Sequence, residues 1–252
     1  MPIKNIKTAK NINAYQHIFL LSHMRANTSL ISHILGSHTD INGYYEMHLS
    51  YLEAADLDKQ QHEYCIKNAL KQDSKYLFDK ILHNAYALEL TNLTATQIKI
   101  LVSIRPAEQT IKSIINLFAQ KKTQHSYADV ENASQYYIQR IKQLAEFCKS
   151  NRDGYYYFDA DIIRTSPEKI LKAMQQWLSL STPLTEQYQI FSQTGKPRAG
   201  DSSVNMKQGE IVKQQSSYAD IEISEQLLQQ VLATTQENKQ FIKNYAIESL
   251  TI

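Results

Sequence analysis

The sequence predicts an α/β fold of three layers, in which helices cover both faces of a central parallel sheet. The main indication is a set of four short runs rich in apolar residues, at 17–22, 75–82, 98–104 and 154–158, with the length expected of buried strands. Amphipathic segments of helical periodicity lie between these runs. Strands that alternate with helices are typical of a parallel sheet, since two parallel neighbours need a long crossover connection.

The predicted helices follow the strands in order. The first has apolar residues at helical spacing from Leu30 to Leu35, and Gly36 is expected to end it. Further helices are predicted at about 56–71, 108–118, 133–149, 166–178 and 225–245. The stretch 195–209 mixes Gly, Pro, Ser and charged residues and is predicted to be one long irregular loop with a functional role.

Bulk composition narrows the classes of function. With 27 basic and 25 acidic residues and a net charge of +2, the chain is not a strongly basic nucleic-acid binder, although local cationic clusters for a small polyanion remain compatible with it. Apolar runs are too short for a membrane span or a signal segment. We therefore expect a single cytoplasmic domain over residues 1–252, frayed at 1–14, with no nucleic-acid partner and no membrane span. The sequence leaves the oligomeric state open.

The segment Ser22–Ser29 joins the first predicted strand to the first predicted helix. At such a junction, unpaired backbone N–H groups and the positive end of the helix dipole converge on an anion. The segment lacks the lysine of an ATP-binding P-loop, GxxxxGK[ST], and no acidic strand end offers an obvious Mg²⁺ ligand. Arg25 instead precedes two adjacent hydroxyl groups, those of Thr28 and Ser29. A helix capped by a serine is the simpler alternative for this segment alone.

The segment Arg25-Ala26-Asn27-Thr28-Ser29, followed by Leu-Ile, resembles the 5'-phosphosulfate loop of the PAPS-dependent sulfotransferase family, usually written RSGTT or RSGST with paired leucines after it. PAPS is 3'-phosphoadenosine 5'-phosphosulfate. The resemblance implies a P-loop NTPase-like sulfotransferase fold in which this segment binds the 5'-phosphosulfate of the co-substrate. Asn27 replaces the usual glycine, and asparagine is the residue that best adopts a positive φ after glycine.

A second match lies at the end of the clearest strand. Arg105 follows Ile100-Leu-Val-Ser-Ile, and Ser113 stands eight residues later, two turns into the next helix. In the sulfotransferases an arginine and a serine at this spacing hold the 3'-phosphate of PAPS, and the planar fork of arginine suits a phosphate dianion. A surface ion pair at the strand end is the structural alternative for Arg105 alone.

Three further segments extend the resemblance in order, to roughly residues 18–203. Residues 42–51 are similar to the region after the first helix, 159–180 to a later strand and helix, and 195–203 to the loop that closes over PAPS. The last of these implies nucleotide contacts from Lys196 and Arg198. It lacks the first arginine and the third glycine of the family's RKGxxGD motif.

The resemblance implies in-line sulfuryl transfer to an acceptor hydroxyl group, assisted by a general base and without a metal ion. Glu46 is the first candidate for the base, His48 the second, and His83 an alternative. Instead of acting as the base, Glu46 would cap a helix if one begins near Met47. Lys80 is similar to a strand-end lysine that contacts the bridging or transferred oxygen.

The sequence leaves the acceptor open between a carbohydrate or glycan, a lipid and another small molecule. Histidine spacings near the N-terminus match no metal-binding pair, so we expect no metal site. Two other functions fit parts of the same pattern. One is a P-loop kinase-like phosphotransferase that uses ATP, against which the missing lysine argues, and the other is an inactive module that binds PAPS or another nucleotide.

Overall fold

The computed structural model describes residues 15–93, 97–121, 123, 125–192, 194, 204–213 and 218–252. Its core is a parallel sheet of the order β2-β3-β1-β4-β5-β6, six strands within the described chain. The strands are β1 Gln16–Leu21, β2 Ile41–Asn42, β3 Tyr76–Ile81, β4 Ile98–Ile104, β5 Tyr156–Asp159 and β6 Ser249–Leu250. The predicted α/β class with a central parallel sheet is therefore confirmed.

Helices cover both faces of this sheet. They are α1 Thr28–Ser37, α2 Ala54–Lys67, α3 Ala107–Ala119, α4 Val130–Ser150, α5 Ile162–Thr165, α6 Pro167–Leu178 and α7 Glu225–Asn244. One buried cluster joins α3, α4 and α7 to the sheet, and a second joins α1 and α6 to its opposite face. Strand β1 supplies both clusters, Phe19 the first and Ile18 the second, because successive side chains of a strand point to opposite faces. No helix in the described part of the chain is long and apolar enough to cross a membrane.

Two of the six strands were not predicted from the sequence. Strands β2 and β6 contain only two residues each and lie at the two edges of the sheet, so neither carries an apolar run. The predicted long loop at 195–209 also differs in part, because Val204–Lys207 form a 3₁₀ turn. Residues 195–203 of that loop lie outside the described residues.

Gly36 lies inside α1 rather than after its end, which corrects the predicted C-cap. The helix continues to Ser37 and has His38 at its C-cap. A Cβ atom on Gly36 would lie 2.7 Å from the carbonyl oxygen of Gly43 and 2.7 Å from the Cβ of Tyr44. Close approach of the segment that follows β2, rather than a helix end, therefore requires a glycine at this position.

The order of the strands brings three loops together. Strand β1 lies between β3 and β4, and all three run in the same direction. Ser22, Leu82 and Arg105, the residues that follow these strands, consequently lie at one edge of the sheet. Open parallel sheets bind their ligands at this edge, beside the strand at which the order of connections reverses.

Candidate active site

The loop 22–27 between β1 and α1 is the central element of the candidate site. Arg25 and Asn27 both have left-handed backbones, with φ angles of 64° and 56°. Loops of this kind turn successive backbone N–H groups towards one point and form concave anion-binding surfaces. The N–H groups of the first turn of α1, which begins at Thr28, have no acceptor within the helix. The hydroxyl-bearing Thr28 and Ser29 are both buried there.

Asn27 supports the loop with its side chain as well as with its backbone. Its Nδ2 donates to the carboxylate of Asp161 at 2.8 Å and to the carbonyl oxygen of Ala160 at 3.1 Å. Its Oδ1 accepts from Nε of Arg164 at 3.0 Å. Glycine would adopt the same φ but would make none of these bonds, so asparagine at this position ties the loop to the start of α5.

We expect Asn27→Gly to destabilise the protein less than Asn27→Ala. Both substitutions remove the side-chain hydrogen bonds, but alanine must also occupy the left-handed region, at a cost of about 1–2 kcal/mol. At this chain length that difference corresponds to about 2–8 °C in Tm. Thermal unfolding of the two variants measures it, and equal Tm values would contradict the role of φ at this position.

Buried side chains hold the rest of the loop to its neighbours. The imidazole of His23 bridges the loop and β4, since its Nε2 accepts from the backbone N–H of Arg105 at 3.0 Å and its Nδ1 donates to the carbonyl of Met24 at 2.9 Å. Burial lowers the pKa of His23 to about 3, which keeps the ring neutral and fits this tautomer. The Tyr136 hydroxyl accepts from the N–H of Met24 at 2.8 Å and donates to the carbonyl of Leu82 at 2.7 Å.

Three of the predicted nucleotide-binding residues lie together on one side of the loop. Nε of Arg25 donates to Oγ of Ser113 at 2.9 Å, and this hydroxyl also bonds to that of Tyr218 at 3.0 Å. Arg105 lies in the same region, and its Nη1 donates to the carbonyl oxygen of Arg25 at 3.2 Å. The other predicted contacts on this side, Lys196 and Arg198, lie outside the described residues.

Arg105 forms an ion pair, as the structural alternative for this residue predicted, but the pair is buried rather than at the surface. Its Nε lies 2.9 Å from Oδ1 of Asp161, the same oxygen that accepts from Asn27. Its Nη2 makes a longer bond of 3.4 Å to Oε1 of Gln109. Asp161 thus connects the loop after β1 to the arginine at the end of β4.

Lys80 lies on the other side of the loop, near the end of β3. It is 1% exposed, and its Nζ donates to Oγ of Ser29 at 3.4 Å. The neighbouring Asp79 accepts from the Tyr51 hydroxyl at 2.6 Å and from the N–H of Met47 at 2.9 Å. Burial raises the pKa of Asp79 to about 7. Its bond to Met47 fixes the segment that carries Glu46.

All three candidate bases converge beside Lys80. Oε1 of Glu46 lies 3.7 Å from Nδ1 of His48 and 3.7 Å from Nε2 of His83. Glu46 is 9% exposed, whereas the two imidazole rings are partly exposed. The first helix after Glu46 begins at Ala54, so the alternative of a helix cap near Met47 is wrong. Within the part of the chain described, these three residues are the one group with the geometry for a metal ion.

The charge state of this group is set by its surroundings. Burial raises the pKa of Glu46 to about 7, although the charges of Lys80 and Arg140 and a backbone hydrogen bond from Leu82 act in the opposite direction. Burial, followed by the charges of His48 and Arg140, lowers the pKa of His83 to about 4. Near neutral pH the carboxylate is thus close to its titration point, and the imidazole of His83 is neutral.

Sequence reasoning missed two charged residues of the site. Asp161 follows β5 by two residues, and an acidic residue at the carboxyl end of a parallel strand was the available signal. Arg140 is buried on α4, where its Nε donates to the carbonyl of Ser22 at 2.7 Å and its Nη2 to the carbonyl of Ile81. The sequence could have indicated Arg140, because it is a charged residue on the apolar face of the helix predicted at 133–149, and charged side chains are rarely buried without a partner.

Comparisons with known proteins agree with this arrangement at the level of the fold. The sequence matches no protein-family model and no curated protein. Among solved structures, the chain is similar to the sulfotransferase domain from the curacin biosynthetic pathway, with 16% identity, a TM-score of 0.57 and coverage of 88% of this chain and 98% of that one.

Two further structures show the same likeness. The sulfotransferase domain of the Synechococcus PCC 7002 olefin synthase is 12% identical, with a TM-score of 0.52 and coverage of 92% of this chain and 95% of that one. Mouse sulfotransferase SULT7A1, complexed with PAP, is 11% identical, with a TM-score of 0.51 and coverage of 93% and 92%. The likeness extends over nearly the whole chain in each case, and this protein therefore has the sulfotransferase fold.

Proposed function

We propose that this protein transfers a sulfuryl group from PAPS to a hydroxyl group of an acceptor. The observation that carries the proposal is the pair of cationic side chains on either side of the loop after β1. Arg25 bonds to Ser113 on one side, and Lys80 bonds to Ser29 on the other. A nucleotide whose phosphates occupy the Arg25 side would present its transferable group to the Lys80 side. The sulfotransferase fold supports the same assignment.

Arg105 and Ser113 are proposed to bind the 3'-phosphate. The bond of 2.9 Å from Nε to Asp161 sets the plane of the guanidinium group. Nη1 and Nη2 of Arg105 make longer bonds, 3.2 Å to the carbonyl of Arg25 and 3.4 Å to Oε1 of Gln109. The oxygens of a bound phosphate would replace these two acceptors. Mouse SULT7A1, which shares the fold, is complexed with PAP, the desulfated product of PAPS, and this supports a 3',5'-bisphosphorylated nucleotide as the ligand.

The 5'-phosphosulfate is proposed to lie on the loop itself. Backbone N–H groups between Arg25 and Ser29, including that of Ala26, would donate to its oxygens together with the hydroxyls of Thr28 and Ser29. Lys196 and Arg198, in the predicted loop at 195–209, are proposed to contact the nucleotide on the basis of the sequence resemblance alone.

In the proposed reaction, an acceptor oxygen bonds to sulfur while the bond from sulfur to the bridging phosphate oxygen breaks. Lys80 is proposed to stabilise negative charge on the leaving oxygen, and its bond to Ser29 supports this role. The acceptor proton passes to Glu46, whose buried Oε1 has no hydrogen-bond partner among the described residues. His48 and His83, each 3.7 Å from that oxygen, are the alternative bases. The acceptor class stays open between carbohydrates, lipids and other small molecules.

Thermal unfolding in the presence of nucleotides tests the proposal. We expect PAP at 100 times its Kd to stabilise the protein by about 2.7 kcal/mol. This corresponds to a rise in Tm of about 5–10 °C for a chain of this length. ATP with Mg²⁺ should give a smaller rise, because it lacks the 3'-phosphate that Arg105 and Ser113 are proposed to bind.

Stabilisation by ATP with Mg²⁺ but not by PAP would contradict the sulfotransferase function and favour a phosphotransferase. If PAP stabilises the protein, a screen of hydroxyl acceptors with radiolabelled PAPS identifies the acceptor class. Binding of PAP without transfer to any acceptor, in wild type and variants alike, would instead support an inactive nucleotide-binding module.

A further inference from the structure

Three potential metal ligands from two separate segments of the chain converge beside the proposed active site. Glu46 and His48 belong to the segment after β2, and His83 follows β3. One ligand atom from each residue lies within 4.8 Å of the other two, and both nitrogen atoms are 3.7 Å from Oε1 of Glu46. Ligand atoms around a tetrahedral Zn²⁺ are about 3.3 Å apart, as bond lengths of about 2.0–2.1 Å require. Small side-chain movements would therefore bring all three atoms onto one ion.

The carboxylate of Glu46 gives a second and independent indication. Its side chain is 8% exposed, and Oε1, the atom that faces both imidazoles, has no hydrogen-bond partner within the described chain. A buried carboxylate oxygen without a partner is unfavourable, and proteins usually satisfy such an atom with a hydrogen bond, a paired charge or a metal ion. The position of this atom between two imidazole nitrogens indicates a cation.

The ligand set selects the kind of cation. Two imidazoles and one carboxylate suit Zn²⁺ and neighbouring divalent transition metals, whereas Mg²⁺ and Ca²⁺ prefer oxygen ligands alone. Three protein ligands are typical of zinc sites that keep a fourth position open. We propose that Glu46, His48 and His83 form a binding site for one divalent transition-metal ion, with Zn²⁺ as the best fit.

The proposed ion has a consequence for the proposed reaction. It would occupy Oε1 of Glu46, the atom to which we assign proton uptake, so bound Zn²⁺ should inhibit sulfuryl transfer. This consequence rests on the proposed function, whereas ion binding itself does not. The charges of Lys80 and Arg140 act on the same carboxylate and should make the affinity lower than in a site without such cations.

Metal binding is tested on the full chain after chelator treatment. We would titrate the protein with Zn²⁺ by calorimetry and with Co²⁺ by absorption spectroscopy. Cys65 is an exposed thiol and a competing ligand, so all variants carry Cys65→Ser. We expect one ion per chain and a Co²⁺ spectrum of a site with nitrogen and oxygen ligands.

Single substitutions then assign the ligands. Loss of a residue that only supports a ligand lowers metal affinity by about 10–100-fold, so Glu46→Gln, His48→Ala and His83→Ala should each lower it by at least that factor. His62→Ala removes an exposed histidine of α2 and serves as the matched control, which should leave the affinity unchanged. A cooperative thermal unfolding transition, measured without nucleotide, shows that each variant is folded.

The outcomes for the ion and for the enzyme are separable. The proposed metal site would be overturned if the wild type binds no ion, or if each of the three single variants binds it with wild-type affinity. Either result would leave the proposed nucleotide site unaffected. Binding without inhibition would retain the metal site and overturn the role of Glu46 as base. Binding in a protein that PAP does not stabilise would retain the metal site and count against the proposed function.

Discussion

Glu46→Gln should lower kcat for sulfuryl transfer by about 10²–10⁴-fold, the usual contribution of a positioned general base. Glutamine has nearly the same shape but cannot accept the acceptor proton. Because Glu46 lies on the Lys80 side of the loop, away from the bond between Arg25 and Ser113, the Kd for PAP should change little. Steady-state kinetics in the presence of a chelator and calorimetric binding of PAP measure the two quantities separately.

Two comparisons make this result specific. Glu89→Gln changes an exposed glutamate that is not among the proposed site residues and should retain wild-type kcat. His48→Gln and His83→Gln test the alternative bases and should lower kcat less than Glu46→Gln does. Near-normal turnover in Glu46→Gln together with a severe loss in either histidine variant would transfer the role of base to that histidine.

Arg105→Gln should weaken PAP binding by about 10- to 150-fold, since hydrogen bonds to charged groups contribute about 1.5–3 kcal/mol. Binding of adenosine 5'-phosphosulfate should change little, because this nucleotide lacks the 3'-phosphate. Calorimetric titration with the two nucleotides measures the difference. Lys112→Ala removes a cation of α3 that pairs with Glu108 and should affect neither affinity.

The substitution also leaves Asp161 without its ion-pair partner, which is expected to destabilise the fold. The double variant Arg105→Gln/Asp161→Asn removes the unpaired buried charge and should recover much of the lost stability. Its loss of affinity for PAP should persist. Equal losses for both nucleotides in the single and double variants would show that Arg105 does not bind the 3'-phosphate.

Much of the fold was predictable because its central strands are buried on both faces. Strands β1, β3, β4 and β5 are rich in apolar residues, and a single sequence reveals each of them to within two residues at each end. Strands β2 and β6 could not be predicted. Strand β2 is defined only by its pairing with β3, and β6 only by its pairing with β5. Such pairing depends on the tertiary structure and leaves no pattern in the sequence.

The placement of the candidate site's residues on strands and helices was predictable where it depends on their order along the chain. Arg25 to Ser29 follow a strand and open a helix, and Ser113 lies two turns into the helix after Arg105. By contrast, the approach of His83 to Glu46 depends on the pairing of β2 with β3, since these residues are 37 positions apart. The ion pair of Arg105 with Asp161 likewise depends on the pairing of β4 with β5.

The hydrogen bonds of Asn27 have a thermodynamic consequence for ligand binding. Arg164 donates both to Oδ1 of Asn27 and to the carbonyl of Val212, three residues after the predicted loop at 195–209. Ordering one residue costs about 1–2 kcal/mol of conformational entropy. Because Asn27 and Arg164 order the loop during folding, the proposed nucleotide would meet a preorganised surface and would not bear that entropic cost. Substitution of Arg164 should therefore make nucleotide binding entropically less favourable without removing any contact to the nucleotide.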